Sequence, residues 1–290
     1  VISKEVLVFL NGSKKGELIQ GQTLEGLNFL LCCPSPFVSS LKVVYSPSNT
    51  INFNFNLPIE NTLKTQKFMK IVLEKFNIKK GNFNLYYNLA DKIGIGCATS
   101  SIMMQLFSKA IEQLFGFKLS KNDESKIMRN IEPGDYIVDF PNTFAYDFFN
   151  GNFILDNLKL PKGYYFSIMP KDRIFSVYWG MERPKYNINE KTFFSSLLEK
   201  NKIINDFQNI NLLGEVCYKS AKINQNYFPK PEFDVIENLF LQQLITGFCI
   251  GHTGTLFTLF ATSKDNLDKA EELIFKYFNK DHYRISSYEV

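Results

Sequence analysis

The run Gly94-Ile95-Gly96-Cys97-Ala98-Thr99-Ser100-Ser101 leads straight into an apolar, helix-like stretch from Ile102 to Phe115. Small side chains let backbone N–H groups approach a phosphate, and the N-terminus of a following helix adds partial positive charge, so this run can form an anion cradle. It is not the lysine-bearing P-loop, because Ala98 stands where that motif has its lysine before the hydroxyl pair. A plain turn would use the same glycines. Three other clusters carry reactive groups: Gly12 to Gly21 with Glu17 and two lysines, Ile131-Glu132-Pro133-Gly134-Asp135 with two carboxylates, and Gly251-His252-Thr253-Gly254-Thr255 with an imidazole among hydroxyls. Each also has a plainer reading. Gly12 to Gly21 reads as a hairpin between two strands, Glu132 and Asp135 as a solvated loop, His252 as a buried residue satisfied by a carbonyl, and Thr253 and Thr255 as turn hydroxyls.

The elements that would hold these clusters follow from hydrophobic periodicity. Ile51, Phe53, Phe55 and Leu57 alternate with Asn52, Asn54 and Asn56, the pattern of a half-buried strand. Thr62 to Asn77 carries Met69, Val72 and Phe76 at helical spacing, and Gly81 to Leu89 predicts a strand ending just before the glycine-rich run. This order does not match a Rossmann unit, where the glycine fingerprint follows the first strand and an acidic residue comes about 20 residues later. Turn residues between Leu155 and Gly163 mark a boundary between two lobes, residues 1–162 and 163–290. Beyond it the pattern predicts a strand at Tyr164 to Met169 and helices near Glu190 to Leu198, Ile210 to Ile223 and Pro231 to Ile245. A strand at Leu256 to Ala261, a helix capped near Ser263 or Asp265 and a last strand at Tyr283 to Tyr288 complete an α+β class.

Composition narrows the classes of function. With 290 residues, 45% of them hydrophobic, 29 Phe and 21% charged, the chain can bury a substantial core. A formal net charge of +4 spread along the sequence does not argue for a nucleic-acid partner. Five cysteines without a Cys-x-x-Cys pair fit neither zinc nor a disulfide framework, and two histidines are too few for a histidine-rich metal site. No run of about 18 apolar residues occurs and the first residues lack a secretory pattern, so a cytoplasmic protein without a membrane partner is expected.

Taken together, the clusters resemble the GHMP kinase superfamily, named for galactokinase, homoserine kinase, mevalonate kinase and phosphomevalonate kinase. The likeness is greatest to its L-threonine kinase branch of cobalamin biosynthesis. It rests on Gly16-Glu17-Leu18-Ile19-Gln20-Gly21, on Gly96-Cys97-Ala98-Thr99-Ser100-Ser101, on Glu132-Pro133-Gly134-Asp135 and on His252-Thr253-Gly254-Thr255. Leu213-Gly214-Glu215, Ser220-Ala221, Asn224-Gln225 and Pro229-Lys230-Pro231 follow in the order of that branch. Lys14-Lys15, Thr99, Ile102-Met103 and Tyr136 depart from its pattern.

The resemblance implies two α+β lobes, the first like a ribosomal-protein S5 domain and the second ferredoxin-like, with ATP in the cleft between them. It implies that Gly94, Ile95, Gly96, Cys97, Ala98, Thr99, Ser100 and Ser101 hold the ATP phosphates, and that Ser100 and Glu132 ligate Mg²⁺. Asp135 would orient or deprotonate the acceptor hydroxyl, or simply bind substrate. Glu17 would organise the site or touch substrate, Thr253, Gly254 and Thr255 would close over phosphates or acceptor, and His252 would bind an anionic group. Phosphoryl transfer needs this kind of positioning and charge neutralisation more than covalent chemistry. The implied acceptor is a small hydroxylated molecule, first of all L-threonine, with another hydroxy amino acid, a sugar, another metabolite or a nucleotide-binding homologue without turnover as alternatives. An amino-acid acceptor also needs a cation for its carboxylate, for which Lys15, Lys92 and Arg173 stand unranked; a homodimer is compatible with the resemblance.

Overall fold

The computed structural model describes residues 3–132, 134–171, 184–199, 207–251 and 256–290. Its backbone is set by two 19-residue strands, β1 (Lys4–Gln22) and β2 (Asn28–Ser46), paired antiparallel from Lys4↔Tyr45 to Gln22↔Asn28. The hairpin predicted across Gly12 to Gly21 is not there: β1 runs through it, and the chain turns later, where Thr23 N–H bonds Leu27 O at 2.9 Å. The glycines serve other ends. A Cβ at Gly12 would stand 2.7 Å from the Val138 carbonyl oxygen, and Gly16 has φ +94° where the ladder is broken between Lys14 and Glu17. That irregularity lets Lys14 and Lys15 both be buried, which strict alternation along a half-buried strand forbids.

Beside this pair lie β3 (Ile51–Phe55) and β4 (Gly81–Asn88), parallel to each other. The hairpin β5 (Asn142–Asp147) and β6 (Asn152–Lys159) joins β2 at its start. On the other side of β1, strands β7 (Tyr164–Pro170), β8 (Gly247–Ile250), β9 (Phe257–Ala261) and β10 (Tyr283–Glu289) continue one sheet in the order β10-β7-β9-β8-β1-β2-β4-β3. Glu17 is the junction, paired with Cys32 of β2 and with Ile250 of β8.

Seven helices occur among the described residues: α1 (Leu63–Lys75), α2 (Thr99–Phe115), α3 (Lys121–Ile131), α4 (Ile188–Leu197), α5 (Ile210–Gln225), α6 (Phe233–Leu241) and α7 (Lys264–Ile274). Ile102, Met103, Leu106, Phe107 and Ile111 of α2 pack on Phe68, Met69 and Val72 of α1 and on Phe83 and Leu85 of β4. A second core joins Leu18, Ile19, Phe29 and Leu31 of the long hairpin to Phe194 of α4 and Leu213 of α5. Burial of these side chains, at about 25 cal/mol per Å² of apolar surface, fixes the helices against the sheet. The helix expected from Pro231 to Ile245 stops at Leu241, because Gln243 takes φ +59° and Leu244 N–H bonds back to Leu239 O at 3.0 Å. All five cysteines are free and buried, and no described helix is long and apolar enough to cross a membrane.

Candidate active site

The phosphate-type run is a shaped loop. Gly94, Gly96 and Ala98 have φ of +88°, +85° and +54°, and Ile95 and Cys97 between them are buried against Met169 of β7 and Leu256. Alternating left-handed positions turn successive N–H groups toward one concavity, the geometry of an anion nest. The helix begins at Thr99 rather than at Ile102, so Thr99, Ser100 and Ser101 form its first turn. No side chain caps it, and the first intrahelical bond is Ile102 N–H to Ala98 O at 3.0 Å. Among the described residues the N–H groups of Thr99, Ser100 and Ser101 have no intrahelical partner, and they stand at the positive end of a 17-residue helix.

Ser100 Oγ donates to Glu132 Oε1 at 2.8 Å, so the hydroxyl and carboxylate expected to act together are together. Glu132 sits at the C-terminus of α3, its N–H bonded to Met128 O at 3.1 Å, and its other oxygen meets the Lys64 ammonium from the first turn of α1. Lys64 is a neighbour the sequence did not announce. Hydroxyl and carboxylate are the hard donors Mg²⁺ takes, and the uncapped helix end suits the phosphates that would complete its shell. Among the described residues no group of three His, Cys, Asp or Glu could hold a metal alone.

Asp135 lies at the centre of a second cluster. Lys14 Nζ is 2.7 Å from Asp135 Oδ2 and also pairs with Glu17 Oε1, while Cys32 Sγ donates to Asp135 Oδ1 at 3.4 Å. Burial alone would depress the Lys14 ammonium, but the charges of Asp135 and Glu17 overcome it and hold its pKa well above the usual lysine value. Burial and the Asp135 charge push the Cys32 thiol up, so it stays protonated. Glu17 and Asp135 are thus brought together by Lys14, which in the sequence is only a departure from the family pattern.

Asp135 is fixed relative to α2 from the following residues. Gln105 of α2 holds the Ile137 backbone from both sides, Nε2 to O at 2.8 Å and N–H to Oε1 at 3.0 Å. Tyr136 donates to Glu124 of α3 and packs edge-on to Phe144 and Phe153. The unexpected tyrosine is therefore a structural peg.

Of the three cations named for an acceptor carboxylate, Lys15 is corrected. It is fully buried, ion-paired with Asp91, and packed on Met169 Sδ at 3.2 Å and Cys97 Sγ at 3.8 Å beneath the loop. Lys92 donates to Lys171 O at 3.1 Å at the surface. Arg173, Pro133 and the cluster His252, Thr253, Gly254 and Thr255 lie outside the described residues. The residues bordering that last cluster, Gly251 and Leu256, are joined by an N–H to O bond of 2.8 Å, and Leu256 touches the phosphate-type loop.

No protein-family model matches the chain, and no curated protein matches it in sequence. Solved structures match it in fold over nearly its full length. The homoserine kinase of Cytophaga hutchinsonii superposes with a TM-score of 0.67 at 14% identity, covering 99% of this chain and 94% of that one. The Methanococcus jannaschii mevalonate kinase gives 0.68 at 12% identity, covering 98% of both chains. MDDEF in complex with MVAPP, AMPPCP and magnesium gives 0.63 at 13%, covering 99% of this chain and 100% of that one. With an uncapped helix behind a nest-like loop and nearly every residue superposed on such enzymes, the chain has the mixed α+β fold of the GHMP kinases.

Proposed function

We propose that this protein is an ATP- and Mg²⁺-dependent kinase that phosphorylates the alcohol of a small molecule, with L-threonine as its acceptor and O-phospho-L-threonine as its product. The observation that carries this reading is the Ser100–Glu132 hydrogen bond at the mouth of an uncapped α2, with Asp135 three residues beyond Glu132 in the chain. The GHMP kinase fold, and the AMPPCP and magnesium held by one of its similar structures, support it.

The N–H groups of Thr99, Ser100 and Ser101 would bind the triphosphate, with the α2 dipole adding to their pull. Ser100 Oγ and the Glu132 carboxylate would hold Mg²⁺. When bound, the ion neutralises charge on the phosphoryl group being transferred. Asp135 presents a carboxylate to an acceptor hydroxyl and can orient it or take its proton as the new O–P bond forms. Lys14, kept protonated by Asp135 and Glu17, acts as a fixed positive charge and not as a base. Residues 1–162 would then supply the nucleotide loop and most of this chemistry, with 163–290 closing the acceptor side.

The Lys64 ammonium on Glu132 favours a second reading, a protein that binds nucleotide without turnover, because that lysine occupies a would-be metal ligand. Activity and binding separate the two. Ser100→Ala and Glu132→Gln should lower Mg²⁺-dependent phosphorylation of L-threonine roughly 100-fold or more, the scale of lost transition-state electrostatics, with unchanged melting temperature. Wild-type protein that binds AMPPCP but transfers no phosphate to any hydroxylated acceptor would establish the second reading.

A further inference from the structure

Lys230 is 4% exposed, and among the described residues its ammonium has no hydrogen-bond or ion-pair partner. A charged group so placed is costly unless something completes it. Its backbone is held with care. The Gln225 side chain clamps it from both sides, Nε2 to Lys230 O at 3.0 Å and Lys230 N–H to Oε1 at 2.9 Å, and prolines flank it. Along the same helix, Ser220 Oγ accepts from Gln20 N–H at 3.1 Å and Asn224 Nδ2 donates to Gln20 O at 2.8 Å. This bolts the end of α5 to β1 three residues past Glu17.

A carboxylate with an unsatisfied oxygen lies two residues on. Glu232 Oε1 accepts from Tyr283 at 2.6 Å, but its buried Oε2 has no hydrogen-bond partner among the described residues. Glu17 and Glu232 are the carboxylates whose charges Lys230 feels, both favouring its protonated form. A buried cation within the field of Glu17 and, two residues on, a carboxylate with one unpartnered oxygen match a ligand that carries both charges.

We infer that Lys230 and Glu232 clamp the head group of the acceptor, Lys230 taking an α-carboxylate and Glu232 Oε2 an α-ammonium, so that the acceptor is a zwitterionic hydroxy amino acid. This rests on the kinase reading for the placing of the acceptor beside Glu17, and it selects amino acids over sugars and hydroxy acids. Charge-assisted bonds of this kind are strong and geometrically selective. Burial, opposed by Glu17 and Glu232, lowers the Lys230 ammonium to about 8. Lys14, paired with Glu17, and Tyr283, bonded to Glu232, are the other titratable groups in this chain of contacts.

The test is calorimetric titration of L-threonine into full-length protein saturated with AMPPCP and Mg²⁺. Two probes accompany it: 1-amino-2-propanol, which lacks the carboxylate, and 3-hydroxybutyrate, which lacks the ammonium. Lys230→Met should weaken threonine binding roughly 10- to 100-fold and leave 1-amino-2-propanol and AMPPCP within about twofold, the loss of one charged hydrogen bond. Lys230→Arg should restore most of it and abolish the weakening that wild type shows above pH 8. Glu232→Gln should weaken threonine but not 3-hydroxybutyrate. Equal losses for threonine and 1-amino-2-propanol, a loss confined to AMPPCP, or no threonine binding to the wild-type complex would each overturn the clamp. Lys230-dependent binding of threonine without formation of phosphothreonine from ATP would sink the kinase reading and leave the clamp standing. Full phosphorylation of threonine by Lys230→Met would do the reverse.

Discussion

Lys14 and Lys15 are consecutive residues of β1, both closed to solvent and both paired with aspartate, yet their surroundings differ. Lys15 and Asp91 are sealed at 0% and 5% exposure among Phe37, Met169 and Cys97, and their pairing holds the underside of the phosphate-type loop. Lys14 is divided between Glu17 and Asp135, and the Asp135 side chain remains 12% exposed, with an oxygen turned to the weak Cys32 donor. Burial therefore does not separate the pair that braces the loop from the pair proposed to act on substrate. What separates them is whether the partner carboxylate keeps capacity toward an open face.

The strongest way to break this contrast is to neutralise each aspartate. Asp135→Asn keeps the shape and removes the group proposed to face the acceptor, so kcat should fall by about 100- to 10,000-fold, the range for a lost general base, with little change in melting temperature. Steady-state phosphorylation assays beside thermal melts would show it. A kcat within threefold of wild type would reduce Asp135 to a partner of Lys14.

Asp91→Asn should give the opposite pattern. It leaves the Lys15 ammonium buried without a counter-charge, which costs about 3–5 kcal/mol of stability. Urea unfolding would measure this, while kcat per folded molecule should change little. The paired replacement Lys15→Met with Asp91→Leu should regain most of the stability, since apolar groups of similar volume often replace a buried pair without loss. If the pair replacement is as unstable as Asp91→Asn alone, the ion pair does more than hold charge.

How much of this was legible in the sequence depends on the range of the interaction. Local patterns were readable: the alternation at Ile51 to Leu57 became β3, and the apolar run after the glycines became α2. The joining of Ser100 to Glu132, 32 residues apart, came from resemblance and is seen in the geometry. What could not be read were contacts that exist only after folding. Lys14 meets Asp135 across 121 residues, Lys15 meets Asp91 across 76, and Asn224 meets Gln20 across 204. Gly12 and Gly16 misled because glycine marks a turn in sequence but here serves a close approach and a broken ladder. α3 is hard to read from the sequence, because it is a polar surface helix whose buried positions include Glu124 and Ser125.

Lys230 extends the comparison to its limit, since Lys14 has two carboxylate partners, Lys15 one and Lys230 none among the described residues. In the unfolded chain its ammonium holds its proton up to the ordinary 10.5, whereas burial lowers it to about 8 in the folded protein. Between those values the unfolded state binds more protons, so stability should rise with pH, with a limiting slope of about 1.4 kcal/mol per pH unit. Below pH 8 both states are charged and above 10.5 both are neutral, so the contribution is flat on either side. Lys14 behaves in the opposite sense: its folded pKa is raised, so its contribution is fully present below 10.5 and is lost only as pH climbs toward the folded value. Urea unfolding of wild type and Lys230→Met at pH 7.5, 9 and 10.5 cancels the titrations they share. The variant should be the more stable at pH 7.5, and the two should converge by pH 10.5. Curves that stay parallel would show that the folded protein completes the Lys230 charge by itself, and that the ammonium is not waiting for a ligand.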